Sequence, residues 1–290
     1  MLEFYANVAA GGLLLGAVYA LLATGLNVIF GALRVVNFAH GEMVVIGMYA
    51  GYGFWKATAA APLAAVPLAA ATLFVLGYAF QRTIGNRFLD APAHFQFILY
   101  IALALVITGI HAMLFGPDPR GIHTPALFEV YRVAGLRLDA MRTQAAAASL
   151  VLIAALWAWL RFTLTGKAIQ AAAENQVGGR AIGIRIPQLF ALTVGIGCAC
   201  AGAAGALVAP MFDTHPYLAP EFTLIAFIIV IVGGLASLPG ALLGGLLIGL
   251  AEALAATVVA PSMKSLFSYA LLAAVILLRP QGLLGSAAAR

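Results

Sequence analysis

Unbroken apolar runs decide what this chain can fold into. They recur at 7–30, 43–57, 62–81, 94–115, 145–160, 189–210, 222–238, 241–259 and 265–279, nine in all. Most approach the roughly 20 apolar residues that carry a helix across a bilayer core. None shows the apolar–polar alternation of a membrane barrel strand, and helices satisfy their own backbone groups in lipid. Composition agrees. Of 290 residues 64% are apolar and 9% charged, against about 25% charged in a soluble domain. The expected fold is all-α: a polytopic membrane helix bundle of about eight to ten spans, one transmembrane domain over 1–290.

The polar gaps set an orientation. Basic residues stand singly at the ends of apolar runs, as orientation signals do, so the net charge of +5 points to a membrane and not to nucleic acid. If 161–188 is cytoplasmic, its side carries nine Lys and Arg (Arg34, Arg82, Arg87, Arg161, Lys167, Arg180, Arg185, Arg279, Arg290). The other side carries six (Lys56, Arg120, Arg132, Arg137, Arg142, Lys264). The positive-inside rule then places 161–188 inside, 116–144 outside, the N-terminus outside and the C-terminus inside. Segment 116–144, with Pro117, Pro119 and Pro125, reads as an external loop with short structure. Met1 to Asn7 carries Glu3 and no basic residue, unlike a signal n-region, so the first run is expected to be retained as a span. Cys198 and Cys200 share one apolar run without further ligands nearby and read as small core residues. Gly12/Gly16, Gly47/Gly51, Gly240/Gly244 and Gly245/Gly249 have the GxxxG spacing that lets helix backbones approach closely in lipid.

Chemistry of the chain's own is not visible. The nearest approach to a phosphate loop, Thr165-Gly166-Lys167-Ala168, lacks the upstream glycine and the Ser or Thr after lysine. The five histidines are scattered, no metal cluster appears, and no nucleophile pairs with a base. If energy is used, another chain supplies it. Two segments are informative instead. Residues 222–259 are interrupted at Gly233-Gly234 and again at Ser237-Leu238-Pro239-Gly240, and short Gly/Pro-broken membrane segments mark irregular backbone beside a pathway. Residues 166–184 put Ile169, Ala173 and Val177 at four-residue spacing, one apolar stripe on a short helix. Gln170 and Glu174 lie on its polar face, and Gly178-Gly179 is expected to break it. Such a helix on a loop suits docking into another protein's groove. An interfacial helix lying on lipid would carry more basic residues.

That segment resembles the cytoplasmic coupling loop of the branched-chain amino acid ABC transporter permeases, in Gly166-Lys167, Ala171 to Asn175, and Gly183-Ile184. Three other stretches are similar to the same family in the expected order: Gly31 to Glu42, ending Asn-Phe-Ala-His-Gly-Glu; Gly233 to Ala241; and Arg279 to Leu283. The resemblance implies the permease subunit of a binding-protein-dependent importer in a bacterial inner membrane. It implies a second homologous permease, two cytoplasmic ATPase subunits that hold the ATP and Mg, and a periplasmic substrate-binding protein. Lys167, Gln170, Ala173, Glu174, Asn175, Arg180, Gly183 and Ile184 would then meet the ATPase. Gln170 stands where many members carry arginine, and Ala236 where glycine is usual.

Charges within the membrane give the remaining candidates. Glu252 lies in the middle of 241–259, where an ionised group costs about 2.5–3.5 kcal/mol on insertion scales, so it must face the bundle or be protonated. It reads either as a pathway carboxylate or as a structural carboxyl bonded to neighbouring helices. Asn37, His40 and Glu42 precede an apolar run. Glu42 suits a helix N-terminus and Asn37 a turn, and a gating role competes with that structural one. Together with Gly233, Gly234, Ser237 and Gly240 they are the candidate translocation and gating residues. An ion-coupled secondary transporter is the alternative in another class, and only Glu252 speaks for it. An ABC permease for urea or short amides is the alternative within the class.

Overall fold

A computed structural model describes residues 1–89, 91–124, 128–133, 135–259 and 263–285. Pro125 and Arg290, used above, lie outside these residues. Every apolar run falls on a helix: α1 (Leu2–Leu33), α2 (His40–Thr58), α3 (Val66–Thr83), α4 (Ala93–Phe115), α5 (Ala140–Phe162), α8 (Ile186–Val208), α9 (Ala219–Gly233), α10 (Leu238–Ala255) and α11 (Lys264–Leu278). Two short helices, α6 (Leu164–Glu174) and α7 (Gln176–Ala181), form the connection between α5 and α8. The loop 116–144 adds a hairpin of β1 (Val130–Val133) on β2 (Leu136–Asp139), paired antiparallel from Val130 opposite Asp139 to Val133 opposite Leu136.

Seven of these helices are long and apolar enough to cross a membrane: α1, α4, α5, α8, α10, and α3 and α9 with the turns that precede them. The other two runs fall short for different reasons. α2 has 19 residues, but His40, Glu42 and Lys56 dilute its apolar character. α11 has only 15 residues.

Glycine dictates the packing. α1 and α10 run antiparallel with Gly12 against Gly249 and Gly16 against Gly245. A Cβ on Gly245 would fall 2.7 Å from the Ala20 backbone. α8 takes α3 on one side, with Gly77 on Cys198 and Gly202 on Leu73, and α2 on another, with Gly47 on Gly202 and Gly51 on Ala206. With no hydrophobic gain between helices in lipid, such close approach is what lets them associate. The buried core accordingly centres on α1 and α8, while α4 turns most of its surface outward.

Two ends result. At one, the Asn7 side chain accepts a hydrogen bond from the Arg137 backbone of the hairpin (2.7 Å), so the N-terminus and the loop 116–144 lie together. At the other, α6 stands beside the 235–239 segment across a cleft of about 820 Å³. There the C-terminal segment closes on α9 through Leu283 N–H to the Val232 carbonyl and Leu284 N–H to the Gly233 carbonyl. The N-terminus and the loop 116–144 thus share one end, and 161–188 and the C-terminal segment share the other.

Candidate functional site

Two helices start in the middle of the bundle. After α1 the chain turns at Arg34, which takes a left-handed conformation (φ 57°), and runs without regular structure to Ala39. Irregular backbone inside a membrane bundle must be satisfied by protein or water, and here side chains do it. Asn37 Oδ1 accepts from the Ala39 N–H at 3.0 Å. His40 Nε2 meets the Leu22 carbonyl of α1 at 2.9 Å. The Gly41 N–H donates to Thr223 Oγ1 of α9 at 3.0 Å, and Thr223 donates back to the Ala219 carbonyl at 3.1 Å. Gly41 sits so close to α9 that a Cβ would overlap the Ala219 carbonyl oxygen. Gly25 lies between the His40 ring and Gly197, the central residue of α8. The first turns of α2 and α9 therefore lie side by side at mid-length of the bundle. From there α2 climbs to the hairpin end and α9 descends to the loop end.

Asn37, His40 and Glu42 are all buried at this junction. Glu42 Oε1 accepts from Thr108 Oγ1 of α4 at 3.4 Å. Its second oxygen and His40 Nδ1 have no hydrogen-bond partner among the described residues. The expectation of a turn at Asn37 holds. Ala39 rather than Asn37 is the residue that begins α2, and it has no side chain to cap that helix, which leaves the Gly41 N–H to Thr223.

The second site is the break between α9 and α10. α9 ends at Gly233, and Gly234 follows at φ 111°. Ala236 takes φ 62°, a left-handed conformation unusual for a residue with a Cβ. Ser237 caps α10, its hydroxyl accepting from the Gly240 N–H at 3.1 Å. Gly233 and Gly240 touch backbone to backbone, closing the break into a tight corner. Sequence reasoning missed the residue that holds this corner. Asn27, buried in α1, donates through Nδ2 to the Ser237 carbonyl at 2.7 Å and accepts through Oδ1 from the Ala236 N–H at 2.6 Å. An asparagine deep inside an apolar span was the available signal.

The third site is the loop 161–188. Thr163 caps α6 by accepting from the Gly166 N–H at 3.0 Å, and Asn175 caps α7 by accepting from the Gly178 N–H at 2.8 Å. The helix therefore breaks at Asn175, and Gly178-Gly179 lies inside α7; this corrects the expected break. Asparagine competes with the helix by bonding the backbone ahead of it. The expected apolar stripe is cut by the same break. Ile169 is 5% exposed and anchors α6, whereas Val177 is 79% exposed on the next helix. Gln170 donates to the Leu160 carbonyl at the end of α5, at 3.2 Å. Lys167, Gln170, Glu174, Asn175, Arg180 and Gly183 are exposed, and Ala173 and Ile184 half-buried. Gly183 turns the chain at φ 88°, so that the Ile184 N–H reaches the Gly179 carbonyl.

Glu252 lies apart from all three. It is buried, accepts from Ser268 Oγ of α11 at 3.0 Å and faces the Tyr19 hydroxyl of α1 at 3.4 Å. Its carboxylate ties α10 to α1 and α11. No group of three or more His, Cys, Asp or Glu among the described residues is placed to hold a metal.

A multi-pass bundle with two helices begun at mid-depth, a glycine-lined break and a helical pair carried on a loop has the form of a transport subunit. The chain belongs to the family described as branched-chain amino acid transport system / permease component, matched over residues 8–276. It is 30% identical to the high-affinity branched-chain amino acid transport system permease protein BraD of Pseudomonas aeruginosa, over 97% of this chain and 96% of that one. It is 29% identical to the corresponding protein LivH of Escherichia coli K12, over 94% and 93%. A probable branched-chain amino acid transport permease of Methanocaldococcus jannaschii is 24% identical over 95% and 91%. No solved structure matches the chain. The protein is thus the transmembrane permease subunit of an ABC importer, a multi-pass protein of the inner membrane.

Proposed function

We propose that this chain forms one half of the pathway by which an importer carries branched-chain amino acids across the membrane. The observation that carries the reading is the family match over nearly the whole chain, together with relatives named for that transport. The other half is a second homologous permease. Two ATPase subunits dock on the 161–188 end, and a periplasmic binding protein delivers substrate at the hairpin end. In this reading α6 and α7 receive the ATPase. Ile169 and Ala172 anchor α6 in the bundle, while Lys167, Glu174 and Arg180 remain exposed for a partner's charges. Charge-assisted hydrogen bonds of that kind are about twice as strong as neutral ones. Asn37, His40 and Glu42 form the gate at mid-depth, and Gly233, Gly234, Ser237 and Gly240 the corner that moves with the loop. Glu252 braces α10 and α11 behind the pathway.

The test uses the assembled transporter in proteoliposomes. Ala173→Trp should block docking. Glu174→Arg should weaken it by about 2–5 kcal/mol, the range for disrupting a buried charged contact. Both should lower co-purification of the ATPase subunits and ATP-driven leucine uptake. Variants that assemble, hydrolyse and transport normally would remove the loop from the mechanism. Uptake of urea or a short amide in place of leucine would reassign the substrate. A cysteine at Gln176 should be silent to an impermeant thiol reagent in intact cells and react after permeabilisation.

A further inference from the structure

An exposed carboxylate sits where lipid cannot accept one. Glu221 lies in the first turn of α9, two residues from Ala219 and from Thr223, the residues that clasp Gly41. That clasp is level with the centre of α8, as argued above. Yet Glu221 is exposed on the surface of the chain, as are Pro220 and Leu224. An ionised carboxylate facing hydrocarbon at that depth is costly, so such groups face a bundle interior or a water-filled cavity. The same helical face continues through Phe227 and Ile231 to Leu235 at the loop end, where it borders an apolar recess of about 170 Å³ completed by Phe30 and Val36.

One further feature marks the place as polar by construction. The N-termini of α2 and α9 meet there, each with an acid in its first turn, Glu42 and Glu221. Helix N-termini carry roughly half a positive charge each and attract anions. Glu42 turns toward α4, where its Oε1 accepts from Thr108 Oγ1, so Glu221 is the acid left at the surface. A zwitterion satisfies such a site better than water or lipid: its ammonium group suits Glu221, and its carboxylate suits the helix N-termini.

We propose that Glu221 faces the translocation pathway and receives the ammonium group of the amino acid substrate at mid-depth, with the apolar face of α9 below it as the track for the side chain. This rests on the amino-acid import reading given above and adds to it the residue that meets the substrate.

The experiment uses the complete importer in proteoliposomes, with Cys198 and Cys200 replaced by alanine. Glu221→Cys should react with a positively charged, water-soluble thiol reagent in the assembled complex, and turnover with leucine should slow several-fold the reaction of Leu224→Cys, which lies one turn along the same face and keeps Glu221. Glu221→Gln should reduce leucine uptake at least tenfold, and Glu221→Asp should recover most of it. An unreactive Glu221→Cys, a Leu224→Cys reactivity indifferent to leucine, or a Glu221→Gln complex with wild-type uptake would overturn the proposal. The access of the reagent to Glu221→Cys needs no transport, so an unreactive cysteine there overturns the proposal even where the Gln variant assembles poorly. Failure of the import reading looks different: the wild-type complex itself would not take up leucine.

Discussion

The seam between α1 and α10 and the junction between α2 and α9 both bring backbones into contact, and they do so by opposite means. Along the seam, glycine meets glycine and alanine on continuous helices, whose backbone groups are already bonded internally. At the junction two helices begin in mid-bundle, so their first N–H groups and the strand of chain before them need outside partners. Asn37 and Thr223 supply partners to the Ala39 and Gly41 N–H groups, His40 ties α2 to the Leu22 carbonyl of α1, and Asn27 and Ser237 bond the backbone at the α9–α10 corner. The seam is held by dispersion and shape, the junction by a small set of directional bonds. Directional bonds can be exchanged for others, which is what a moving part of a transporter requires. A packed glycine seam has no alternative arrangement of that kind.

The comparison can be broken most severely at Gly41. Gly41→Leu drives a side chain into the Ala219 backbone and removes the close approach on which the Thr223 bond depends. Overpacking of this kind costs about 3 kcal/mol or more where the neighbour is backbone. The expected result is loss of folded permease after detergent extraction. Gly53→Leu, on the same helix with nothing within 4 Å, should leave the melting curve in place. Equal behaviour of the two variants would mean that the junction is not tightly specified.

A smaller effect is expected at Asn27. Asn27→Ala leaves the Ala236 N–H and the Ser237 carbonyl without their partner, and an orphaned buried group costs about 1–3 kcal/mol. The apparent melting temperature should fall clearly, and Asn27→Asp should not restore it at neutral pH, because an ionised carboxylate would face the Ser237 carbonyl. No change in either would show that water serves the corner as well as asparagine.

The smallest effect carries the opposite sign. Ala236 holds φ 62°, a conformation that costs a residue with a Cβ about 1–2 kcal/mol and glycine almost nothing. Ala236→Gly should therefore raise stability by about 1 kcal/mol, after the entropy that glycine adds to the unfolded chain. A destabilised Ala236→Gly protein would show that the methyl group contributes packing that outweighs the strain.

The seam was legible in the sequence and the junction only in part. GxxxG spacing at Gly12/Gly16 and Gly245/Gly249 announces close helix approach, and the structure places these two pairs against each other. The break at 233–240 was legible from Gly, Ser and Pro alone. What periodicity could not reveal is that α2 starts at mid-depth, because its apolar run begins only at Met43 and gives no depth for His40. Glu221 was hidden for a similar reason: it stands just outside the apolar run 222–238, where a charge looks like an ordinary span boundary. The depth of a residue comes from packing against helices distant in sequence. The loop 161–188 differs from its sequence reading at the break, because Asn175 ends a helix that glycine was expected to end.

The proposed division between a fixed seam and a moving junction is tested most directly by thiol accessibility in the assembled importer, with Cys198 and Cys200 replaced by alanine. Cysteines at Asn37, at Ser237 and at Ala20, which packs on Gly245, are probed with an impermeant reagent in nucleotide-free and ATP-bound complexes. Reactivity should change between the two states at Asn37 and Ser237, and Ala20 should stay unreactive in both. Unchanged reactivity at Asn37 and Ser237, or a state-dependent Ala20, would contradict the account.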